Sequence, residues 1–154
     1  LRIPNPYGPR QQMKHAKYSI VGWFIRQAFD GGTLQVFGDG EQERDYLYVD
    51  DIVDAFLRVG ATDRTDGEVY NIGSPERLRF VDMVDEVIRT ARGGHKEHVP
   101  WPKDYERNET GSYRADTRKI STAVGWNADV LLSDGIRRTV EYYRAFRDQY
   151  WVRS

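Results

Sequence analysis

The segment from residue 38 to residue 51, Gly-Asp-Gly-Glu-Gln-Glu-Arg-Asp-Tyr-Leu-Tyr-Val-Asp-Asp, constrains the fold more than any other part of this chain. Its opening Gly-Asp-Gly predicts a sharp reversal, because glycine accepts the positive φ angles that tight turns need. In the extended stretch that follows, alternation places Arg44, Tyr46 and Tyr48 on one face. The two closing aspartates can cap a helix that begins there. The segment therefore predicts a turn, a short strand and a helix in direct succession.

Arg44 within this segment has two interpretations. A guanidinium held on a strand beside a turn presents a planar fork of donors that suits a phosphate group. Alternatively, the segment is a hairpin whose surface arginine pairs with Glu41, Glu43 or Asp45. The residues by themselves favour neither interpretation.

Periodic apolar positions predict most of the remaining elements. Helices are predicted where apolar residues recur every three or four positions, over 20–29, 51–60, 80–92, 117–124 and from 133 onward. In the second helix, Ile52, Phe56 and Val59 are expected to face the core. Short strands are predicted over 34–37 and 68–73. Three prolines and a glycine over 4–9 predict a loop, because they interrupt both kinds of backbone ladder.

The bulk composition excludes several classes of function. The chain has 154 residues and a hydrophobic content of 39%, enough for one packed α/β domain over residues 1–154. A formal net charge of −1 argues against nucleic-acid partners, which usually require a basic excess. No apolar run reaches membrane-spanning length, so no membrane is expected among the partners. The absence of cysteine excludes disulfides and thiolate metal sites, and it suits a cytoplasmic protein.

Histidines offer no alternative metal site. His95, Glu97 and His98 lie close together in sequence, but their spacing fits neither a helical pair of histidine ligands nor a cysteine-assisted site. A solvated loop is the simpler interpretation, and no metal is predicted.

Several longer motifs occur in a fixed order. Asn-Pro-Tyr-Gly-Pro begins at Asn5 and precedes the 38–51 segment, and Glu-Val-Tyr-Asn-Ile-Gly, Tyr-Arg-Ala-Asp and Val-Gly-Trp follow from Glu68, Tyr113 and Val124. Over nearly the whole chain this order resembles the carboxy-terminal half of the NAD-dependent epimerase/dehydratase family, the extended short-chain dehydrogenases/reductases. Within that family it is most similar to the 4-epimerases of UDP-glucose and UDP-galactose. The resemblance implies the α/β, substrate-binding part of such an enzyme, with the N-terminal Rossmann half absent.

The resemblance also implies a set of contacts to a nucleotide-diphosphate sugar. Arg44 matches the arginine that grips the diphosphate, and Gln35 and Phe37 match positions whose backbone groups reach the base. Further matches lie near the base, the diphosphate, the hexose or the ribose, at Asn5, Tyr46, Asn71, Arg107, Glu109 and Tyr113. The competing interpretations are a turn cap for Asn5, a strand-end cap for Asn71 and a plain edge strand over 34–37.

The family's cofactor machinery has no counterpart in this sequence. Neither a Gly-x-x-Gly-x-x-Gly turn nor a Tyr-x-x-x-Lys pair occurs, and in the family both would precede Leu1. Ile3 and Pro6 match positions beside the nicotinamide. NAD is therefore the expected cofactor of an intact enzyme, whereas this chain alone is expected to be inactive and to bind NAD weakly.

The resemblance leaves the individual reaction open. In the family, NAD takes a hydride from C4 of the sugar, and epimerases return it to the other face. A nucleotide-sugar 4-epimerase is the first hypothesis, and a 4,6-dehydratase, a decarboxylase, a reductase or a non-catalytic binding module are the alternatives. Strand edges exposed at 1–3 and 69–72 further predict a homo-oligomer.

Overall fold

A computed structural model describes residues 1–17, 19–107 and 109–151. Strands and helices are interspersed along the first hundred residues and helices follow, which confirms the predicted α/β class. The strands are β1 (Asn5–Tyr7), β2 (Thr33–Phe37), β3 (Glu43–Arg44), β4 (Tyr46–Tyr48), β5 (Leu78–Arg79) and β6 (His95–Val99). The helices are α1 (Ile20–Phe29), α2 (Val49–Gly60), α3 (Phe80–Ala91), α4 (Lys103–Glu106), α5 (Arg118–Val124), α6 (Leu132–Ala145) and α7 (Arg147–Tyr150), with a 3-10 turn at Asp63–Thr65.

The described strands form three short pairs. β1 runs parallel to β4, and β2 runs parallel to β6 with Gln35 opposite Glu97. The prediction of a loop around His95 and His98 is therefore wrong, because β2 offers these residues a strand partner, although their side chains are exposed as predicted. β3 and β5 are antiparallel. A parallel bridge joins Arg2 to Asn71, so the segments 1–3 and 69–72 lie side by side. The prediction of a strand over 68–73 is otherwise wrong, because this bridge is the only ladder contact that these residues make within the described part of the chain.

The prediction of a loop over 4–9 is wrong for Asn5–Tyr7, which is strand β1. The Asn5 N–H donates to the Asp45 carbonyl at 3.1 Å, so in this parallel register it is Asn5 and Tyr7 that bond to β4. Pro6 occupies the intervening position, whose amide nitrogen points away from β4. The missing N–H of proline therefore costs the ladder nothing.

The helix after the 38–51 segment begins two residues earlier than predicted, and neither aspartate caps it. Tyr48 precedes its first turn, and no side chain caps that end. The buried Asp51 carboxylate instead accepts from the amide N–H groups of Asp129 and Val130, at 3.2 and 3.1 Å. Burial raises the pKa of Asp51, although these two hydrogen bonds act in the opposite direction. Asp51 therefore ties α2 to a distant loop.

The prediction that Phe56 faces the core is also wrong, because its exposure is 52%. α2 buries Ile52 and Ala55 against the Trp126 side chain and its neighbours. Phe56 lies on another side of the helix, next to the exposed Val53 and Leu57. An amphipathic pattern predicts which residues form the apolar face of a helix, but it does not predict which part of that face packs against another element.

Two apolar clusters form the core, and β4 separates them. The larger cluster packs α1, α3 and α6 around the strands and includes Tyr46 and Tyr48. The smaller cluster contains Leu47 with residues of α2 and α5. The predicted alternation along β4 is therefore confirmed, and both of its faces are buried. Among the described residues, no helix is both long and apolar enough to cross a bilayer.

Candidate functional site

A cavity of about 1070 Å³ opens beside β2 and the segment that carries Arg44. Its volume is typical of sites that enclose a small organic molecule. The described residues that line it are His15, Ala16, Lys17, Ile20, Trp23, Phe24, Gln27, Thr33, Gln35, Phe37, Gln42, Arg44, Phe80, Trp101 and Glu109.

One long wall of the cavity comes from α1. Ile20, Trp23, Phe24 and Gln27 line the cavity at positions i, i+3, i+4 and i+7 of this helix, which is the spacing of a single helical face. The Ser19 hydroxyl caps the helix by accepting from the Gly22 N–H at 3.3 Å. An ordered helix thus presents an apolar surface along the cavity.

A second wall is β2, whose odd-numbered residues line the cavity while Leu34 and Val36 are buried in the core. At the two ends of its pairing with β6, the His95 N–H donates to the Gly32 carbonyl and the Gly38 N–H donates to the Val99 carbonyl. In a parallel ladder with this register, the even-numbered residues of β2 bond to β6. The N–H and C=O of Gln35 therefore point to the opposite edge, where β2 has no strand partner among the described residues.

Arg44 is held in place by three neighbours. Its Nη1 donates to the carbonyl oxygens of Glu43 at 2.9 Å and Gly111 at 2.7 Å, and its Nη2 donates to the Glu109 carboxylate. The side chains of Arg44 and Glu109 are only 19% and 23% exposed. Within the described part of the chain, Nε and the second hydrogen of Nη2 have no partner. That edge of the guanidinium matches two oxygens of one phosphate group.

The carboxylates that the hairpin interpretation offered to Arg44 are engaged elsewhere. Glu41 pairs with Arg79 at 3.0 Å, and Glu43 pairs with Arg77 at 3.3 Å. The predicted surface pairing is therefore wrong. Its replacement by Glu109 depends on a contact between residues 65 positions apart.

Asp45 anchors the chain next to Arg44. Its buried carboxylate accepts from the Ser74 N–H and, at 2.9 Å, from the Ala115 N–H. Burial raises the pKa of this carboxyl group, whereas the two amide hydrogen bonds and the charge of Arg114 lower it less. The Asn5 side-chain amide donates to the Asp45 carbonyl at 3.0 Å. Asp45 thus joins the Arg44 segment to the segment that carries Glu109.

An indole closes the cavity near the turn. Trp101 lies against Phe37 with ring centroids 5.4 Å apart. Gly38 has a φ of 67°, and a Cβ at this position would lie 2.5 Å from the Trp101 Nε1. Glycine is therefore required at residue 38 both for its backbone conformation and for the close approach of the indole.

The structure brings together only some of the residues that were predicted to bind the nucleotide sugar. Gln35, Phe37, Arg44 and Glu109 line one cavity. The others do not line it: Asn5, Tyr46, Asn71, Arg107 and Tyr113. Asn5 bonds to the Asp45 carbonyl, Asn71 bridges to Arg2, and Tyr46 is buried in the larger cluster. Arg107 and Tyr113 are exposed.

Sequence patterns did not indicate a binding role for several of the lining residues, among them His15, Lys17, Trp23 and Trp101. The stretch 10–18 carries no periodicity and gave no signal. Trp23 could have been found, because it continues the apolar positions of α1 beyond the face that Val21, Ile25 and Ala28 bury in the core.

The two residues predicted to contact NAD, Ile3 and Pro6, would form only a small part of a dinucleotide-binding site. Ile3 and Pro6 are exposed and do not line the cavity. The sequence also lacks the glycine-rich turn that holds a pyrophosphate. The residues of this chain therefore do not fit a complete NAD site.

Comparisons with known proteins agree with the motifs. Residues 1–73 match the model of the NAD dependent epimerase/dehydratase family. A UDP-glucose 4-epimerase from Mycolicibacterium smegmatis is 35% identical over 143 residues, which cover 91% of this chain and 43% of that protein. A dTDP-glucose 4,6-dehydratase from Shigella flexneri is 32% identical, and the match covers 97% of this chain and 41% of that protein.

The fold agrees as well. The crystal structure of UDP-glucose 4-epimerase with UDP-glucose from Thermotoga maritima superposes with a TM-score of 0.83 and 31% identity, covering 95% of this chain and 45% of that chain. The chain thus spans less than half the length of the relatives it matches. By sequence and by fold, it belongs to the NAD-dependent epimerase/dehydratase family.

Proposed function

We propose that this chain forms the sugar-nucleotide-binding part of an NAD-dependent nucleotide-sugar 4-epimerase of the UDP-glucose type. The observation that carries the proposal is the meeting of Arg44 with Gln35 in one cavity, because the backbone groups of Gln35 lie on the edge of β2 that has no strand partner among the described residues. The Nε and Nη2 edge of Arg44 would bind the diphosphate. The N–H and C=O of Gln35 would bind a base whose edge offers a complementary acceptor and donor.

The residues that line the cavity support these separate roles for Arg44 and Gln35. Its aromatic side chains, which include Phe37, Trp23 and Trp101, provide flat apolar surface for a base and a ribose. Glu109 lies beside Arg44, where a carboxylate oxygen can also accept from a ribose hydroxyl. Anchoring the nucleotide in this way would hold the sugar in a defined position, which is how binding energy contributes to a reaction elsewhere in an enzyme.

The same site would serve a 4,6-dehydratase that acts on a dTDP-sugar, and the similarity to such an enzyme supports this second candidate. NAD would supply hydride transfer in either case. Because the residues of this chain do not complete a cofactor site, we expect it to contribute nucleotide binding rather than the chemical step.

The test is calorimetric titration of the 154-residue chain with UDP, UDP-glucose and dTDP-glucose. We expect Arg44→Ala to weaken binding of UDP by about tenfold or more, since a charged hydrogen bond is worth about 1.5–3 kcal/mol. Arg44→Lys should recover only part of the loss, because an ammonium group cannot present the planar edge.

Arg118→Ala is the matched control, because Arg118 is an ion-paired arginine that does not line the cavity. Its affinity for UDP should equal that of the unaltered chain. Circular dichroism of each variant checks that the fold is retained. An Arg44→Ala chain that is folded and binds UDP as tightly as before would refute the proposal.

A further inference from the structure

Arg44 alone does not balance the negative charge of a nucleotide diphosphate. Each of the two phosphates carries a negative charge, whereas Arg44 is already paired with the carboxylate of Glu109. Two opposite charges at such close range largely cancel. A diphosphate in this cavity therefore calls for a second cation.

Lys17 is the second fixed cation among the described residues that line the cavity. Its ammonium group has no ion-pair partner in the described part of the chain. Together Lys17, Arg44 and Glu109 leave one excess positive charge. The lining therefore favours an anion.

The path of the chain places Lys17 toward the same end of the cavity as Arg44. α1 and β2 are joined by a short turn at 30–32 and pack together, so they run in opposite directions. Ten helical residues span about 15 Å, and five strand residues span about 16 Å. The residues just before α1 are thus level with Phe37, where the chain leaves β2 and turns toward Arg44.

The arginine that the sequence nominated for this task lies elsewhere. Arg107 is exposed and does not line the cavity. We infer that Lys17, supplied by the loop before α1, is the second diphosphate-binding cation of this site and acts with Arg44 across the phosphates. This inference rests on the proposed binding of a nucleotide diphosphate.

The chain offers two matched controls. Lys14 is an exposed lysine in the same loop, three positions earlier, and it does not line the cavity. Arg107 tests the competing assignment directly. Both can be replaced by alanine without loss of any buried contact.

The experiment measures the affinity of the 154-residue chain for UDP and for inorganic pyrophosphate at low and high salt. We expect Lys17→Ala to weaken binding of both probes by about three- to tenfold at low salt, and by less at high salt because salt screens an exposed charge. Lys17→Arg should retain most of the affinity. Lys14→Ala and Arg107→Ala should change it by less than about twofold.

The outcomes separate this inference from the proposed function. If UDP binding depends on Arg44 but not on Lys17, the inference is wrong and the proposed function stands. If pyrophosphate binding depends on Lys17 but UDP binds no more tightly than pyrophosphate, the cation is confirmed and the nucleotide site is not. If neither probe binds, both are overturned.

Discussion

Replacing Asp45 with asparagine tests whether the candidate site is held together by one buried carboxylate. Asp45 is 2% exposed, and its two oxygens accept from the amide groups of Ser74 and Ala115. Asparagine keeps one carbonyl oxygen but turns an N–H₂ group toward the other amide N–H. One charged hydrogen bond is then lost and two donors face each other without an acceptor.

The magnitude follows from these contacts. Losing a charged hydrogen bond costs about 1.5–3 kcal/mol, and an unsatisfied buried donor costs about 1–3 kcal/mol. Removing a buried charge returns part of this, because burial disfavours the ionised form of Asp45. We therefore expect Asp45→Asn to lower the free energy of unfolding by about 2–4 kcal/mol near neutral pH.

Urea denaturation followed by tryptophan fluorescence measures this change. Asp54→Asn is the matched control, because the Asp54 carboxylate is exposed and pairs with Arg58 at 2.8 Å on the surface of α2. Its loss should cost less than about 1 kcal/mol. A loss in Asp45→Asn no larger than the loss in Asp54→Asn would refute the assignment of Asp45 as the anchor.

Three further predictions concern pH, the turn and association. Burial raises the pKa of Asp45, so the stability that this carboxyl group contributes is full below its unfolded pKa of about 3.9 and declines as the pH rises through its folded pKa. In urea titrations, the loss of unfolding free energy in Asp45→Asn should therefore be larger at about pH 3 than at about pH 7. A loss that grows with pH would contradict this. Gly38→Ala should weaken UDP binding several-fold in calorimetry, because the added Cβ would displace Trp101. Gly31→Ala is the control, since Gly31 has a similarly positive φ but lies in open space, and it should leave UDP binding unchanged. Equal affinities of the two variants for UDP would contradict the role of the indole. The exposed Phe56 predicts self-association that grows with concentration in sedimentation and that Phe56→Gln reduces; a chain that stays monomeric at high concentration would refute it.

Sequence patterns predicted those parts of the molecule whose structure depends on near neighbours. The limits of α1 were predicted correctly, because a periodic apolar face ends at a pair of glycines. The turn at Gly38 and the alternation along β4 follow in the same way from backbone freedom and a period of two. The motifs then identified the family, and with it Arg44 as the first candidate for a ligand contact.

Tertiary structure decided which residues meet across long stretches of chain. Arg44 and Glu109 are 65 positions apart, and Asp45 and Ala115 are 70 positions apart. Lys17 reaches the cavity only because α1 folds back along β2. No local pattern encodes such contacts, since they depend on how the helices pack against the strands.

Two of the wrong predictions in the fold have the same origin. Asn5–Tyr7 became a strand because β4 offered a partner in the one register that leaves the proline nitrogen outside the ladder. Phe56 remained exposed because the packing of α2 was decided by Ile52 and Ala55. Local propensity therefore determined which elements this chain could form, and the contacts available to each element determined which residues it buried and which it brought to the site.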